Sequence, residues 1–119
     1  MLCIRAEQMR VFQAVMRDRF VEKMMSLLAE LWPTQTAQME GGYRRFIESA
    51  INRAFSYGID TEASVARFIN LCLVWGLDFE MRPEHAWALR ILRDSNLRSA
   101  LKVDELASRT KQELAQRRA

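Results

Sequence analysis

The chain has 119 residues, of which half are apolar and 28% are charged, and its formal net charge at pH 7 is +3. This composition excludes a disordered chain, and the length allows a core that needs no disulfide or metal to hold it. Only four glycines and two prolines are present, so few turns are encoded. We therefore predict a single helical domain over residues 1–119.

The basic residues do not indicate a nucleic-acid partner. Most are arginines that alternate with acids, as in Arg17-Asp18-Arg19, and +3 spread over a domain is a weak field. The first residues lack the apolar core of a signal peptide, and no apolar stretch approaches the ~20 residues that cross a bilayer. We expect a cytoplasmic protein with neither a nucleic acid nor a membrane as partner.

The first predicted helix runs from Arg5 to Leu31, and Pro33 ends it. Its apolar residues recur at steps of three and four, namely Met9, Phe12, Met16, Phe20, Met24, Leu27 and Leu31. Such a helix is about 40 Å long, whereas a compact globule of this chain length is about 35 Å across. The helix therefore either spans the molecule or protrudes from it, so that a partner covers part of its apolar stripe.

The next two helices are bounded by glycines. Residues 34–39 are polar without a helical period, and Gly41-Gly42 interrupts the chain. A second helix is predicted over 43–57, with Gly58 as its left-handed C-terminal cap. Thr61 is the predicted N-cap of a third, mostly apolar helix that stops at Gly76.

Residues 77–82 are predicted to be an irregular connection, followed by two more helices. Pro83 suits the first turn of a fourth helix that ends near residues 94–96, and Ser99 is the predicted cap of a fifth. That last helix carries Leu101, Leu106 and Leu114 with many charged residues between them. No alternating strand pattern occurs, so the predicted fold is all-α, an irregular bundle of about five helices.

The sequence offers no convincing catalytic, metal or cofactor site. Cys72 lies in an apolar run, where a buried thiol is expected, and the single histidine, His85, has no further metal ligands at helical spacing. Residues 61–67 suit the first helix of a DNA-reading helix-turn-helix. The apolar residues 71–75 follow, however, where a reading helix needs polar side chains. We therefore predict that the protein is not an enzyme and binds no cofactor.

Two groups of residues suggest protein binding. The methionines of the first helix can repack at low cost against a partner helix, although Met also fills irregular cores. Trp75, Asp78 and Phe79, at the exit of the third helix, are predicted to organise one structural corner, and Phe79 and Trp87 are expected core aromatics. The alternative is that these residues contact a partner.

Three short motifs carry a family resemblance. They are Arg5-Ala6-Glu7-Gln8, Tyr57-Gly58-Ile59-Asp60-Thr61-Glu62 and Trp75-Gly76-Leu77-Asp78-Phe79, with Trp87-Ala88 and Ile91-Leu92 after them. The combination covers most of the chain and resembles a group of small helical bacterial proteins encoded beside type VI secretion spike, effector and adaptor-chaperone genes. That group has Phe-Gly-Pro-Asp-Phe in place of the third motif, so its rigid proline is absent here. The resemblance implies an accessory role, such as helping an adaptor chaperone hold an effector before loading.

The resulting hypothesis is a protein-binding co-chaperone whose partner is an effector, its adaptor chaperone or both. The residues expected to contact that partner are Met9, Phe12, Met16, Phe20, Trp75, Asp78, Phe79 and Trp87. A homodimer would cover the same apolar surface. Two alternatives stay open, an immunity protein that blocks a toxin and, from a different class, a nucleic-acid-binding regulator.

Overall fold

The computed structural model describes the backbone of residues 6–118 and the side chains of residues 16–117. Within that range the chain forms six α-helices, three short 3-10 helices and no β-strand. The α-helices are α1 (Ala6–Leu31), α2 (Pro33–Gln38), α3 (Tyr43–Ser56), α4 (Glu62–Trp75), α5 (Ala86–Leu92) and α6 (Ser99–Arg118). The predicted all-α fold with a long first helix is confirmed.

Helix α2 occupies a segment for which no helix was predicted. Pro33 ends α1 as expected, but it also takes the first position of α2, where its missing N–H costs nothing. The buried Thr36 then closes the turn, because its backbone N–H and its hydroxyl both donate to the carbonyl of Trp32, at 3.0 and 2.8 Å. This local bonding explains why a short polar segment without helical period is nevertheless helical.

The ends of α3 and α4 follow the sequence prediction. Gly58 has φ of 79°, the left-handed conformation that glycine adopts without strain. The hydroxyl of Thr61 accepts a hydrogen bond from the N–H of Ser64 at 3.2 Å, so Thr61 is the N-cap of α4. Gly76 follows α4 with φ of 110° and ψ of 157°.

The connection from α4 to α5 is more ordered than predicted. Two 3-10 helices, Phe79–Met81 and Pro83–His85, replace the expected irregular segment, and α5 begins only at Ala86. Pro83 starts the second 3-10 helix rather than an α-helix. Tight turns of this kind place successive side chains on different sides, which allows one short connection to point several residues inward.

Helix α6 differs from the prediction at its start, where Ser99 is a residue of the helix. The Ser99 hydroxyl does not cap α6; it accepts from the N–H of Asp60 at 2.9 Å and lies 3.0 Å from the carbonyl of Gly58. Leu101 is 51% exposed, whereas Lys102 is buried. The Lys102 ammonium donates to the carbonyl of Tyr57 at 2.5 Å and to that of Leu92 at 2.9 Å. Polar groups of α6 therefore hold the α3–α4 loop and the end of α5.

The chain divides into two compact units within α3. The first is Met1–Ile47 and the second is Glu48–Ala119. Buried apolar side chains of the first unit are Val21, Met24, Leu28 and Ile47. Those of the second unit include Ile51, Phe68, Ile69, Phe79, Leu92 and Leu106. The prediction of one domain over the whole chain stays a prediction.

We expect Gly76→Ala to lower the free energy of unfolding by about 1–3 kcal/mol, because its φ and ψ lie in a region that only glycine adopts without strain. A Cβ there would also lie 2.8 Å from Nη2 of Arg82. Gly42→Ala is the matched control, since no atom lies within 4 Å of its added Cβ. Chemical denaturation measures both variants, and equal stability of the two would contradict the backbone geometry at Gly76.

Candidate protein-binding surface

Helix α1 carries two neighbouring apolar faces, of which one is buried and one is exposed. Val21, Met24 and Leu28 are at most 2% exposed. Met16, Leu27 and Leu31 are 42%, 43% and 61% exposed, and Phe20 between them is half-buried. We refer to Met16, Phe20, Leu27 and Leu31 as the α1 stripe.

The α1 stripe is compact on the helix surface. With 3.6 residues per turn its four side chains fall within an arc of about 60° and a length of about 22 Å. The buried residues lie beside it, so the whole apolar arc spans about 140°. The sequence stripe was predicted as one continuous face. Only Met24 of its described members is in the core, because the core takes the adjacent face through Val21 and Leu28.

The first turn of α3 covers another side of α1. The Tyr43 hydroxyl donates to the carbonyl of Met25 at 2.6 Å, and Arg44 forms an ion pair with Asp18 at 3.0 Å. These contacts leave the α1 stripe open. Of the eight residues predicted to bind a partner, Met16 and Phe20 therefore belong to an accessible apolar surface. Met9 and Phe12 lie outside the described side chains.

A cluster of four rings in the second unit contains the predicted residues Trp75, Phe79 and Trp87. Its centre is His85, whose ring centroid lies 4.6 Å from that of Trp75, 5.9 Å from Phe79 and 6.0 Å from Trp87. His85 Nδ1 lies 3.0 Å from the carbonyl of Phe79, so this nitrogen carries the proton and donates. Trp75 Nε1 donates to the hydroxyl of Thr110 at 3.1 Å, which joins the cluster to α6.

The ring cluster is interior. Trp75 and Trp87 are 7% exposed and Phe79 is fully buried, whereas Asp78 lies at the surface, 4.0 Å from Arg82. Trp75 and Phe79 of the predicted corner thus lie in one ring cluster with Trp87, and Asp78 does not join them. That these four residues contact a partner stays a prediction. From the sequence His85 was considered only as a metal ligand, and its place among the rings was not predicted.

A buried carboxylate holds the connection beneath this cluster. The side chain of Glu80 has no solvent exposure. Its Oε2 accepts from Nε of Arg53 at 3.0 Å and from the Tyr57 hydroxyl at 2.7 Å. An ionised carboxylate is tolerated inside a protein only with such partners. Glu80 lies in the connection that was expected to be irregular, and nothing in a single sequence shows which acid turns inward.

A groove of about 420 Å³ lies between α5 and α6. Its lining residues are Trp87, Arg90, Ile91, Glu105, Ser108, Arg109 and Gln112. Arg109 lies over the Trp87 ring, 5.7 Å from its centroid, and donates to Glu113 at 2.9 Å. Since Arg90 and Glu105 oppose each other in sign, this groove presents no single charge with which to select a ligand.

Reactive and membrane-related features are few among the described residues. Cys72 is buried, and its burial, followed by the nearby Glu80 carboxylate, raises the pKa of the thiol, so the neutral form is present at neutral pH. Among residues 16–117, whose side chains are described, no group of three or more His, Cys, Asp or Glu side chains is placed to hold a metal ion. None of the described helices has the length and apolar character needed to cross a bilayer.

Phe79→Ala is expected to destabilise the protein by about 3–5 kcal/mol, the usual cost of removing a buried phenyl ring. Phe55→Ala is the matched control, because Phe55 is 49% exposed, and its melting temperature should change little. Thermal unfolding followed by circular dichroism compares the two variants. A Phe79→Ala protein that melts like wild type but loses its partner would identify Phe79 as an interface residue and overturn its assignment to the core.

Burial, and then the hydrogen bond to the Glu80 carboxylate, raises the pKa of Tyr57 to about 12. The neutral phenol is thus favoured in the folded state, and the stability it contributes is complete below about pH 10 and is lost as pH rises through about 12. In a Tyr43→Phe variant Tyr57 is the only tyrosine. Tyrosinate absorbance should then show half-ionisation at about pH 12, with circular dichroism confirming that helices persist. A midpoint near 10 in folded protein would contradict the Tyr57–Glu80 bond.

Comparison with known proteins supplies no relative from which a function can be transferred. No protein-family model, no curated protein and no solved structure matches this chain significantly. The resemblance to type VI accessory proteins therefore stays an expectation drawn from short sequence motifs. A functional assignment depends on the surfaces described above, and the α1 stripe is the largest group of exposed apolar side chains on one described element.

Proposed function

We propose that this protein is a protein-binding accessory factor that helps an adaptor chaperone hold a type VI secretion effector. The observation that carries the binding role is the α1 stripe, with three large apolar side chains that are 42–61% exposed. The secretion context rests on the motif resemblance. Taken together, the stripe supplies a surface for an apolar segment of the effector or adaptor, and the resemblance supplies the class of partner.

Burial of the α1 stripe would contribute favourably to association. Full burial of a large apolar side chain is worth about 1.5–3 kcal/mol. These side chains are about half exposed, so covering them would contribute about half of that free energy for each one. Contiguous exposed apolar surface is uncommon on monomeric proteins and usually marks an interaction site. Met16 adds adaptability, because its unbranched side chain repacks against differently shaped partners.

The α1 stripe also suits a helper that must release its partner. Its core neighbours Val21, Met24 and Leu28 are buried independently of any partner. A complex formed through the stripe can therefore dissociate without exposing these core side chains. This arrangement is expected of a protein that holds an effector only until loading.

We expect the double substitution Met16→Glu and Leu27→Glu to abolish binding to the adaptor or effector while leaving the helix content unchanged. Two carboxylates would have to be desolvated at the interface, at a cost of several kcal/mol. Leu101→Glu is the matched control, since Leu101 is 51% exposed on α6, and this variant should bind normally. Co-expression with any adaptor chaperone or effector that the genes flanking this one prove to encode, followed by size exclusion at high salt, measures binding.

Four outcomes would overturn the proposal. The wild-type protein would form no complex with either neighbour, or the double variant would bind as well as wild type. Alternatively, the protein alone would rescue cells from a neighbouring toxin in the absence of the adaptor, which indicates an immunity protein. Strongly salt-dependent binding to random duplex DNA would instead indicate a nucleic-acid-binding regulator.

A further inference from the structure

The second half of α1 has the spacing of a helix that packs against another helix. Phe20, Met24, Leu27 and Leu31 follow one another at steps of four, three and four. These are the a and d positions of a heptad repeat, whose side chains interlock with those of a second helix. Met24 is 2% exposed and packs within its own chain, so a second helix can contact only Phe20, Leu27 and Leu31 of this set. We call Phe20, Leu27 and Leu31 the α1 seam.

Only one flank of the α1 seam is accessible, and it carries two opposite charges. Lys23 and Glu30 are seven residues apart and both exposed, which places them on the same side of the helix. Val21 and Leu28 occupy the opposite flank and are buried. Among residues 16–117 the structure gives neither Lys23 nor Glu30 an ion-pair partner, although Arg44 pairs with Asp18 on another side of the same helix.

This charge order is complementary to itself under a two-fold rotation. When two copies of the helix run antiparallel, the basic part of one flank faces the acidic part of the other. A register that places Phe20 beside Leu31 of the second copy brings each Lys23 to the Glu30 of the other chain, so both ion pairs form at once. In a parallel arrangement Lys23 would lie at the same height as Lys23 of the second copy, and Glu30 at the same height as Glu30, so these ion pairs would not form.

We infer that the free protein is a homodimer in which two α1 seams pack antiparallel, with Lys23 and Glu30 paired across the two-fold axis. The partner is a second copy of this chain because it is the one occupant whose complementary charges are known to be present. A helix is the appropriate element to cover the seam, since heptad spacing matches the ridges of another helix. Arg19, also exposed and nearer the helix start, adds to the basic part of the flank.

The homodimer uses the surface that the proposed function assigns to an effector or adaptor. Binding such a partner therefore exchanges one copy for another occupant of the same face. The second copy would cover the α1 stripe until the effector or adaptor has been synthesised, which limits aggregation. The dimer does not depend on the proposed function, and each can be disproved while the other holds.

The test is the oligomeric state of charge variants of the full-length protein, measured by sedimentation equilibrium. Lys23→Glu leaves two acids on each flank and Glu30→Lys leaves two bases, so each variant alone should dimerise at least about tenfold more weakly than wild type at low salt. An equimolar mixture of these two variants restores both ion pairs and should recover dimerisation. The double variant, in which the two charges are exchanged, should dimerise like wild type.

Lys111→Glu is the control for a change of charge alone, because Lys111 is exposed on α6, and it should not alter the dimer. A wild-type protein that is monomeric at concentrations well above those used for binding would overturn the inference. So would single variants that dimerise normally, or a mixture that stays as weak as its components. A monomer that still binds the adaptor or effector would overturn the dimer alone. A dimer that binds neither would overturn the proposed function alone.

Discussion

Burial of the Glu80 carboxylate is the constraint on which much of the second unit depends. A charge removed from water must be compensated, and the donors are Arg53 and Tyr57, one near the end of α3 and one in the loop after it. These bonds fix the 3-10 helix that contains Glu80 against the end of α3. Fixing this short helix also sets the direction in which the chain leaves α4. The buried Phe79, next to Glu80, is thereby held in the interior.

The ring cluster is a consequence of that geometry. His85 bonds to the carbonyl of Phe79 and packs on Trp75, while Trp75 reaches Thr110 of α6 through its indole N–H. Burial of a ring N–H without a hydrogen-bond partner would cost free energy, and these hydrogen bonds offset that desolvation cost. Lys102 does the same for two carbonyls at the other end of the unit. The interior is therefore specified by polar bonds as well as by apolar contacts, and this part of the protein is suited to rigidity.

Helix α1 carries more apolar surface than the core covers. Its apolar arc is wider than its buried face, so Met16, Leu27 and Leu31 remain exposed although the helix is well anchored by Tyr43 and Arg44. A narrower arc would have sufficed for folding alone. The additional exposed apolar residues, with Lys23 and Glu30 beside them, are the basis of the association that we propose, with a second copy or with another protein. The buried core and the surface proposed for association therefore use separate sets of residues.

The sequence by itself determined the helical class, the long first helix and the glycine and threonine signals that bound α3 and α4. These features depend on local spacing and local backbone preference, which a single chain displays directly. Tertiary structure alone decided that the core uses Val21 and Leu28 rather than the whole predicted stripe, that Ser99 serves a distant loop, and that Glu80 and Lys102 turn inward. In each of these cases the partner is far away along the chain or the choice lies between two adjacent faces of one helix. Periodicity cannot show which of two adjacent helix faces is buried, because packing and hydrogen bonding between distant residues determine this.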